Sequence, residues 1–350
     1  MNPIRAVLCG YYGMGNAGDE ALLMSLLQML PESVEPIVLS GNPQSTKKSY
    51  GVASCHRKST FALLKTLSQS DVFIWGGGSL MQDATSIASP IYYAGLMALA
   101  QQRGLKTIAW AQGIGPLNKS LTLWLTKQVL LGCNAISVRD QASAELLSNW
   151  QIKPIIAPDP VWALQSQTPP SLPATDKPIV AVVLRSHPLL TPERLQTLVL
   201  ALQDFQRKSN SFILLIPFQP AQDQAIAEQI ATQIDQDCEI MSVANPQQLK
   251  GLFKEVTMAI GMRLHSLIMA AAEGCRCFAL SYDPKVSQLM SELHLPGYEL
   301  QDLPDEPEII SLAWLTQFKS SEAIEPLKIQ SLIDQALIHQ QLLRTTIIKD

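Results

Sequence analysis

Gly261-Met262-Arg263-Leu264-His265 is the stretch that decides how this chain folds. It follows a short apolar run at 256–260 and precedes an apolar helical pattern at 266–272. A buried strand that turns through a glycine and restarts as a helix places its turn at the carboxyl edge of a sheet. In open α/β sheets, ligands bind at that edge. This turn carries a guanidinium and an imidazole, which points to an enzyme for an anionic substrate.

The same alternation fills both halves of the chain. Strands are predicted at 6–9, 36–39, 72–75, 107–111 and 135–138, with helices at 20–29, 61–67, 91–102, 121–131 and 141–149 between or after them. The second half repeats the pattern, with strands at 179–184, 212–216, 239–241, 256–260 and 277–280. Helices are predicted there at 192–206, 223–233, 246–253, 264–272 and 285–293. Continuous apolar strands separated by helices mean parallel sheets covered on both faces. A proline-rich stretch interrupts the two runs and reads as a linker. The expected domains are 1–163, a linker at 164–178, 179–322, and a terminal helix at 323–350 that packs back on the first domain. The fold class is α/β, with two Rossmann-like doubly wound domains facing a central cleft.

Composition agrees. A chain of 350 residues with 47% apolar content can fill two cores. A net charge of −4 argues against a nucleic-acid partner, so positive charge must act locally. Six scattered cysteines fit a reducing compartment, and Cys275-x-Cys277 has no second pair to complete a metal site. No metal and no cofactor are expected. The first residues lack a signal-peptide pattern, and no run reaches the ~20 apolar residues of a spanning helix. A cytoplasmic location follows, with room for peripheral contact at the inner face of the membrane.

Three glycine-rich stretches follow predicted strands. The first, Gly10-Tyr11-Tyr12-Gly13-Met14-Gly15-Asn16-Ala17-Gly18-Asp19-Glu20, matches the dinucleotide spacing at Gly13, Gly15 and Gly18. The acidic ribose reader about 20 residues further on is missing. The stretch is therefore either a tight turn capped by Asp19 or a loop that admits a different ligand to its backbone. The second is Trp75-Gly76-Gly77-Gly78-Ser79, with Gln82 and Asp83 just beyond, placed to bond sugar hydroxyls. The third is Gln112-Gly113-Ile114-Gly115-Pro116.

Charged residues complete the set. Arg139 ends the strand at 135–138, where it either pairs with Asp140 at the surface or clamps a phosphate or carboxylate. His265 stands in a first helical turn, where the dipole favours an anion, and an imidazole suits proton transfer near neutrality. Arg263 is placed to orient that turn. Arg185-Ser186-His187 follows the strand at 179–184, which sets His187 apart from the remaining histidines. Lys285 follows Pro284 at a helix start, an unusual place for a cation unless an anion sits there too.

These stretches, in this order, resemble the polysaccharide pyruvyl transferases, most closely those of the CsaB type. The matching segments are 10–20, 76–83, 112–116, 137–140, 159–160, 261–266 and 283–285, spread over most of the chain. The resemblance implies a two-domain fold like that of B-type glycosyltransferases. It implies transfer of a pyruvyl group from phosphoenolpyruvate, a co-substrate, to a sugar of a cell-envelope or exopolysaccharide precursor, as in cell-wall polysaccharides that anchor S-layers. The product is a ketal, phosphate is released, and the acceptor sugar is carried on a lipid, a nucleotide or a finished polymer. Carried over residue by residue, Arg139, His265 and Lys285 handle phosphoenolpyruvate, and Arg263, beside His265, is a further candidate for contact with it. Gly13, Gly15, Asn16, Gly18, Asp19, Gly77, Gly78, Gln82 and Gln112 hold the acceptor. His265 acts as acid or phosphate ligand, and Asp19 or Asp83 as base. Met269-Ala270-Ala271-Ala272-Glu273-Gly274 also looks like a nucleotide-sugar segment of B-type glycosyltransferases, so that activity is a second reading. A non-catalytic sugar- or anion-binding protein is a third.

Overall fold

In the computed structural model, which describes residues 3–84, 86–234, 236–320 and 324–348, all strand pairings are parallel. The first half contributes β1 (Ile4–Cys9), α1 (Ala17–Met29), β2 (Val34–Ser40), α2 (Pro43–Tyr50), β3 (Ala53–His56), α3 (Thr60–Ser68) and β4 (Val72–Met81). It continues with α4 (Ala88–Gln102), β5 (Lys106–Ile114), α5 (Ser120–Leu131), β6 (Ala135–Val138), α6 (Gln141–Ser148) and β7 (Ile155–Ile156). Their strands form one sheet in the order β3-β2-β1-β4-β5-β6-β7.

The second half contributes β8 (Ile179–Val183), α7 (Pro192–Ser209), β9 (Phe212–Leu215), α8 (Pro220–Ala231), β10 (Cys238–Ile240) and α9 (Pro246–Glu255). Next come β11 (Met258–Gly261), α10 (Leu264–Ala272), β12 (Arg276–Ser281), α11 (Pro284–Leu293), β13 (Gly297–Glu299) and α12 (Pro307–Lys319). Their sheet runs β10-β9-β8-β11-β12-β13. Helices α13 (Pro326–Ala336) and α14 (Ile338–Ile347) end the described chain.

Two compact units result. One joins the chain up to Met14, Asp19–Leu164 and the chain from Leu332 onward; the other joins Gly15–Gly18 to Gln165–Ser331. The domain boundary expected at 322–323 lies outside the described residues. Each unit is a Rossmann-like α/β domain on a parallel sheet. β8 is buried at every position, as a central parallel strand with helices on both faces requires. In the first unit, Leu63 and Leu67 of α3, Met97 of α4 and Leu130 of α5 share one core with Phe73 and Trp75 of β4.

Local chemistry fixes the helix starts. Pro192, Pro246 and Pro284 open α7, α9 and α11, and Thr191, Asn245 and Asp283 cap them with side-chain oxygens. Two glycine stretches depart from the expected turns. β4 continues through Gly76-Gly77-Gly78 to Met81, and β5 through Gln112-Gly113 to Ile114. Each strand carries a register irregularity there, between Gly78 and Met81 and between Ala109 and Gln112. Gly77 and Gly78 adopt φ of 84° and 86°. Glycine lets a strand bulge and bend without ending, where a local reading sees only a turn.

Candidate active site

Neighbouring strands of the second sheet gather cations along one edge. β8, β11 and β12 are adjacent and parallel, so their carboxyl ends lie side by side. β8 leads into Arg185 and His187, β11 into Arg263 and His265, and β12 into Tyr282, Asp283 and Lys285. The Arg185 guanidinium lies 5.0 Å from the Tyr282 ring centre, and its Nη1 donates to the Tyr282 hydroxyl at 2.9 Å. The His187 ring packs on the same tyrosine, with centroids 4.6 Å apart. Burial, then the Arg185 charge, holds the His187 imidazole below its ordinary range against the opposing pull of Asp283. Among the described residues, Arg185 has no carboxylate partner. Asp283 instead caps α11, accepting from the Lys285 N–H at 2.9 Å, and Lys285 is half-buried in that first turn.

Arg263 does the job that its sequence position suggests, which is to orient its turn. Its Nε and Nη2 donate to the two carboxylate oxygens of Asp223 at 2.9 and 2.6 Å, and both residues are buried. Asp223 also accepts from the Gln219 N–H at 2.8 Å. A bidentate pair this deep holds Nε and Nη2 of the guanidinium on an internal carboxylate, so Arg263 positions its turn. It stands at the N-cap position of α10, where its carbonyl accepts from the Ser266 N–H at 3.0 Å, so fixing it fixes the turn that carries His265.

His265 is half-buried and lies against Gly18, where a Cβ would collide with the imidazole Nδ1. Gly18 is therefore a glycine for room. The Ala17 N–H donates to the Phe218 carbonyl at 2.8 Å. Asn16 accepts from the Gly18 N–H at 3.0 Å and donates to Gln219 at 3.5 Å. Residues 16–18, 218–223 and 263–265 thus form one cluster, tied together through Asp223. Asn16, expected to hold an acceptor, has its carboxamide engaged in building this cluster.

The first sheet's edge is differently furnished. The Gly13 N–H donates to Glu20 Oε1 at 2.8 Å, and the Tyr50 hydroxyl donates to Glu20 Oε2 at 2.6 Å. Burial pushes the Glu20 carboxyl above its ordinary range in spite of those bonds. Asp19 lies beside the bulge, since a Cβ on Gly78 would stand 3.5 Å from its Oδ1. Asp19, Gly77 and Gly78 are thus brought together, and Gly15 is exposed. Gln82, half-buried, directly follows β4.

Three expected site residues in this unit are engaged internally. The Gln112 side chain is fully buried and donates to the carbonyls of Trp110 and Trp75 at 2.9 and 3.4 Å, which places it inside the sheet. Asp83 accepts from the N–H groups of Asn118 and Lys119 and from the Thr122 hydroxyl at 2.6 Å. The Thr122 bond, then the Asn118 N–H, hold its carboxyl below the usual range. That makes it an anchor for the start of α5 and a weak base. Arg139 Nη1 meets Asp159 Oδ2 at 2.5 Å, and Nη2 donates to Ser79 at 3.1 Å. An internal carboxylate thus occupies the guanidinium expected to clamp a substrate anion.

Arg57, which follows β3, is a strand-end residue that the sequence pattern does not single out. It lies 5.1–5.5 Å from the ring centres of Tyr11, Tyr92 and Tyr93, and its Nη2 donates to the Tyr93 hydroxyl at 3.0 Å. β3 is short and half-polar, so no apolar run announces it. At the far end of the chain, His339 of α14 is fully buried. Its Nδ1 lies 2.9 Å from Ser137 Oγ and its Nε2 lies 3.0 Å from the Pro158 carbonyl. A carbonyl only accepts, so Nε2 carries the proton and Nδ1 accepts from the Ser137 hydroxyl. Burial, the dominant cause, lowers the His339 pKa to about 4.

Comparison with known proteins adds a family and a fold. The family model described as "Polysaccharide pyruvyl transferase" matches residues 16–284. No curated protein sequence matches the chain. Among solved structures, the UDP-GlcNAc 2-epimerase from Methanocaldococcus jannaschii is similar, with a TM-score of 0.66 and 9% identity over 99% of each chain. The UDP-GlcNAc 2-epimerase from Neisseria meningitidis, bound to UDP-GlcNAc, gives 0.63 and 9% over 100% of each chain. A glycosyltransferase from Rickettsia africae gives 0.59 and 12%, again over 100% of each chain. At these identities the likeness carries the fold alone, that of B-type glycosyltransferases and related epimerases.

Proposed function

The chain belongs to the polysaccharide pyruvyl transferase family, and from that premise we propose that it is an enzyme of the CsaB type, moving a pyruvyl group from phosphoenolpyruvate to a sugar of a cell-envelope precursor. The observation that carries the donor assignment is the row of Arg185, His265 and Lys285 on adjacent strand ends of one sheet. Phosphoenolpyruvate sets a phosphate and a carboxylate on three carbons, and guanidinium and ammonium groups match those anions. Arg185 takes the role that the family resemblance assigns to Arg139, because Arg139 is paired to the internal Asp159.

The chemistry runs as a balanced addition and elimination. A proton adds to the methylene carbon of phosphoenolpyruvate, and positive charge develops at C2. A sugar hydroxyl attacks C2 and gives its proton to a base. The C2–O bond to phosphate breaks with inorganic phosphate leaving, and a second hydroxyl of the same sugar bonds to C2, closing the ketal and giving its proton to the departing phosphate. His265 serves as the acid or as the group that assists phosphate departure. Asp19, beside the Gly77-Gly78 bulge, serves as base on the acceptor side, in preference to Asp83. Mixing the protein with phosphoenolpyruvate and a panel of soluble and lipid-linked sugars tests the reading. Release of inorganic phosphate with an acceptor heavier by one pyruvyl ketal is expected. Release of a nucleoside diphosphate from a nucleotide sugar, with no turnover of phosphoenolpyruvate, would replace this activity with glycosyl transfer.

A further inference from the structure

We infer that the first unit docks on an anionic lipid surface through the N-terminal turns of α3, α4 and α5. These helices cover one core on one face of the first sheet. Each runs back from a strand's carboxyl edge, so their first turns lie together at the edge that carries Asp19, Gly77 and Gly78. The large exposed apolar side chains of these helices concentrate there. Phe61 and Leu64 lie on α3, Ile87 and Ile91 at the start of α4, and Leu121 and Trp124 on the first turns of α5. Phe61 is 80% exposed and Trp124 55%. An outward-facing Phe on α3 and Trp on α5 add no folding stability, and such a patch marks an interaction surface.

Charge identifies the partner. The chain is net negative, yet residues 36–139 hold ten Lys and Arg against two Asp and Glu. Lys58, Lys65, Lys119 and Lys127 border the apolar side chains, and none is ion-paired among the described residues. Aromatic and aliphatic tips flanked by lysines fit a headgroup boundary of negative potential. No helix of the described residues is long and apolar enough to cross a membrane. Docked this way, the acceptor-side edge of the first unit would face the bilayer, within reach of a sugar displayed at its surface. That last step rests on the proposed activity; the docking itself does not.

Vesicle co-sedimentation without phosphoenolpyruvate keeps the two ideas separate. The full chain should bind vesicles containing phosphatidylglycerol and should bind pure phosphatidylcholine at least about tenfold more weakly, with binding to the anionic vesicles falling as salt rises. The double variant Phe61→Ser/Trp124→Ser should keep its melting temperature, because both side chains are exposed, and lose vesicle affinity roughly 10- to 100-fold. Equal binding of variant and parent to anionic vesicles, or no binding by the parent, would overturn the inference. So would a parent dimer that the double variant abolishes, which would make this face a protein interface. A chain that binds vesicles but fails to turn over phosphoenolpyruvate would sink the activity and leave the docking intact.

Discussion

Both sheets end a strand in an arginine, and each of those arginines is matched by a buried aspartate of its own unit. In the first unit the pair is Arg139–Asp159, in the second Arg263–Asp223. What differs is everything around them. The first edge is built of glycines and backbone, with Gly77 and Gly78 bulging from β4 beside Asp19. The second adds, beyond its internal pair, the guanidinium of Arg185, the imidazole of His265 and the ammonium of Lys285 on three adjacent strand ends. An edge of small residues and backbone suits a bulky, uncharged ligand such as a sugar, whereas an edge of cations suits a compact anion. The lesson is that a strand-end arginine is read correctly only once its partner is known.

The largest effect expected from breaking this contrast is at His265. His265→Ala should lower turnover by roughly 10²–10⁴, the weight of one acid–base group, with phosphate release as the readout and little change in melting temperature. Near-normal turnover would remove His265 from the chemistry and leave its edge only a binding surface. Next comes Arg263→Ala. It strands the Asp223 carboxylate in the interior, and breaking a buried pair costs about 3–5 kcal/mol in denaturant unfolding. Removing both partners with Arg263→Leu/Asp223→Leu should recover most of that stability while turnover stays low, because the turn bearing His265 loses its anchor. A single variant that is stable but cannot bind phosphoenolpyruvate would instead make Arg263 a substrate ligand.

The first unit holds its C-terminal helix by a neutral group, and acid should expose that. The His339 pKa, ordinarily near 6.5, is lowered to about 4. A depressed histidine binds fewer protons folded than unfolded, so its contribution is complete above pH 6.5 and is lost as pH falls toward 4. The loss is about 3 kcal/mol if the full interval is crossed. His339→Gln should flatten that part of the stability–pH curve. An unchanged curve would mean that the helix is held elsewhere.

Much of the architecture is legible in the amino-acid sequence, because the buried strands are continuous apolar runs and their exits carry glycine, arginine or histidine. β8 and β11 show this clearly. The missing parts depend on contacts far apart in sequence. Nothing local tells that Asp223, on one helix, fills the fork of Arg263, 40 residues later. Gln112 stands in a glycine stretch like any turn residue, and only the bulged course of β5 shows that it points into the core. β3 and α2 are polar and short, so no apolar pattern frames Arg57 or Tyr50. The basic stretch from 36 to 139 is plain in the sequence, but the net charge of the whole chain masks it.

Arg185 gives the next smaller effect and the sharpest test of the contrast between the edges. With no carboxylate to satisfy among the described residues, its removal strands no buried charge, so Arg185→Ala should leave the melting temperature nearly unchanged. The Michaelis constant for phosphoenolpyruvate should rise about 10- to 100-fold, the loss of one or two charge-assisted hydrogen bonds, with the constant for the acceptor unmoved. Arg185→Lys should recover only part of the loss, since an ammonium cannot form the paired fork. A change in the acceptor constant instead would place the sugar, and not the anion, at the second edge.

The smallest expected effect is at Asp83, and it separates an anchor from a base on the first edge. Its carboxylate receives two backbone N–H groups and a hydroxyl at the start of α5. A carboxylate stabilised in its charged form by donors is a poor proton acceptor. Asp83→Asn keeps one accepting oxygen, so turnover should stay within about threefold, while the melting temperature falls by a few degrees, as loss of a helix-start anchor does. Asp19→Asn, beside the Gly78 bulge, should do the reverse, with a turnover loss of about 10² or more and an unshifted melting curve. If the two variants exchanged behaviours, the base would belong to the β4–α4 connection and Asp19 would be the helix cap that its sequence position also allows.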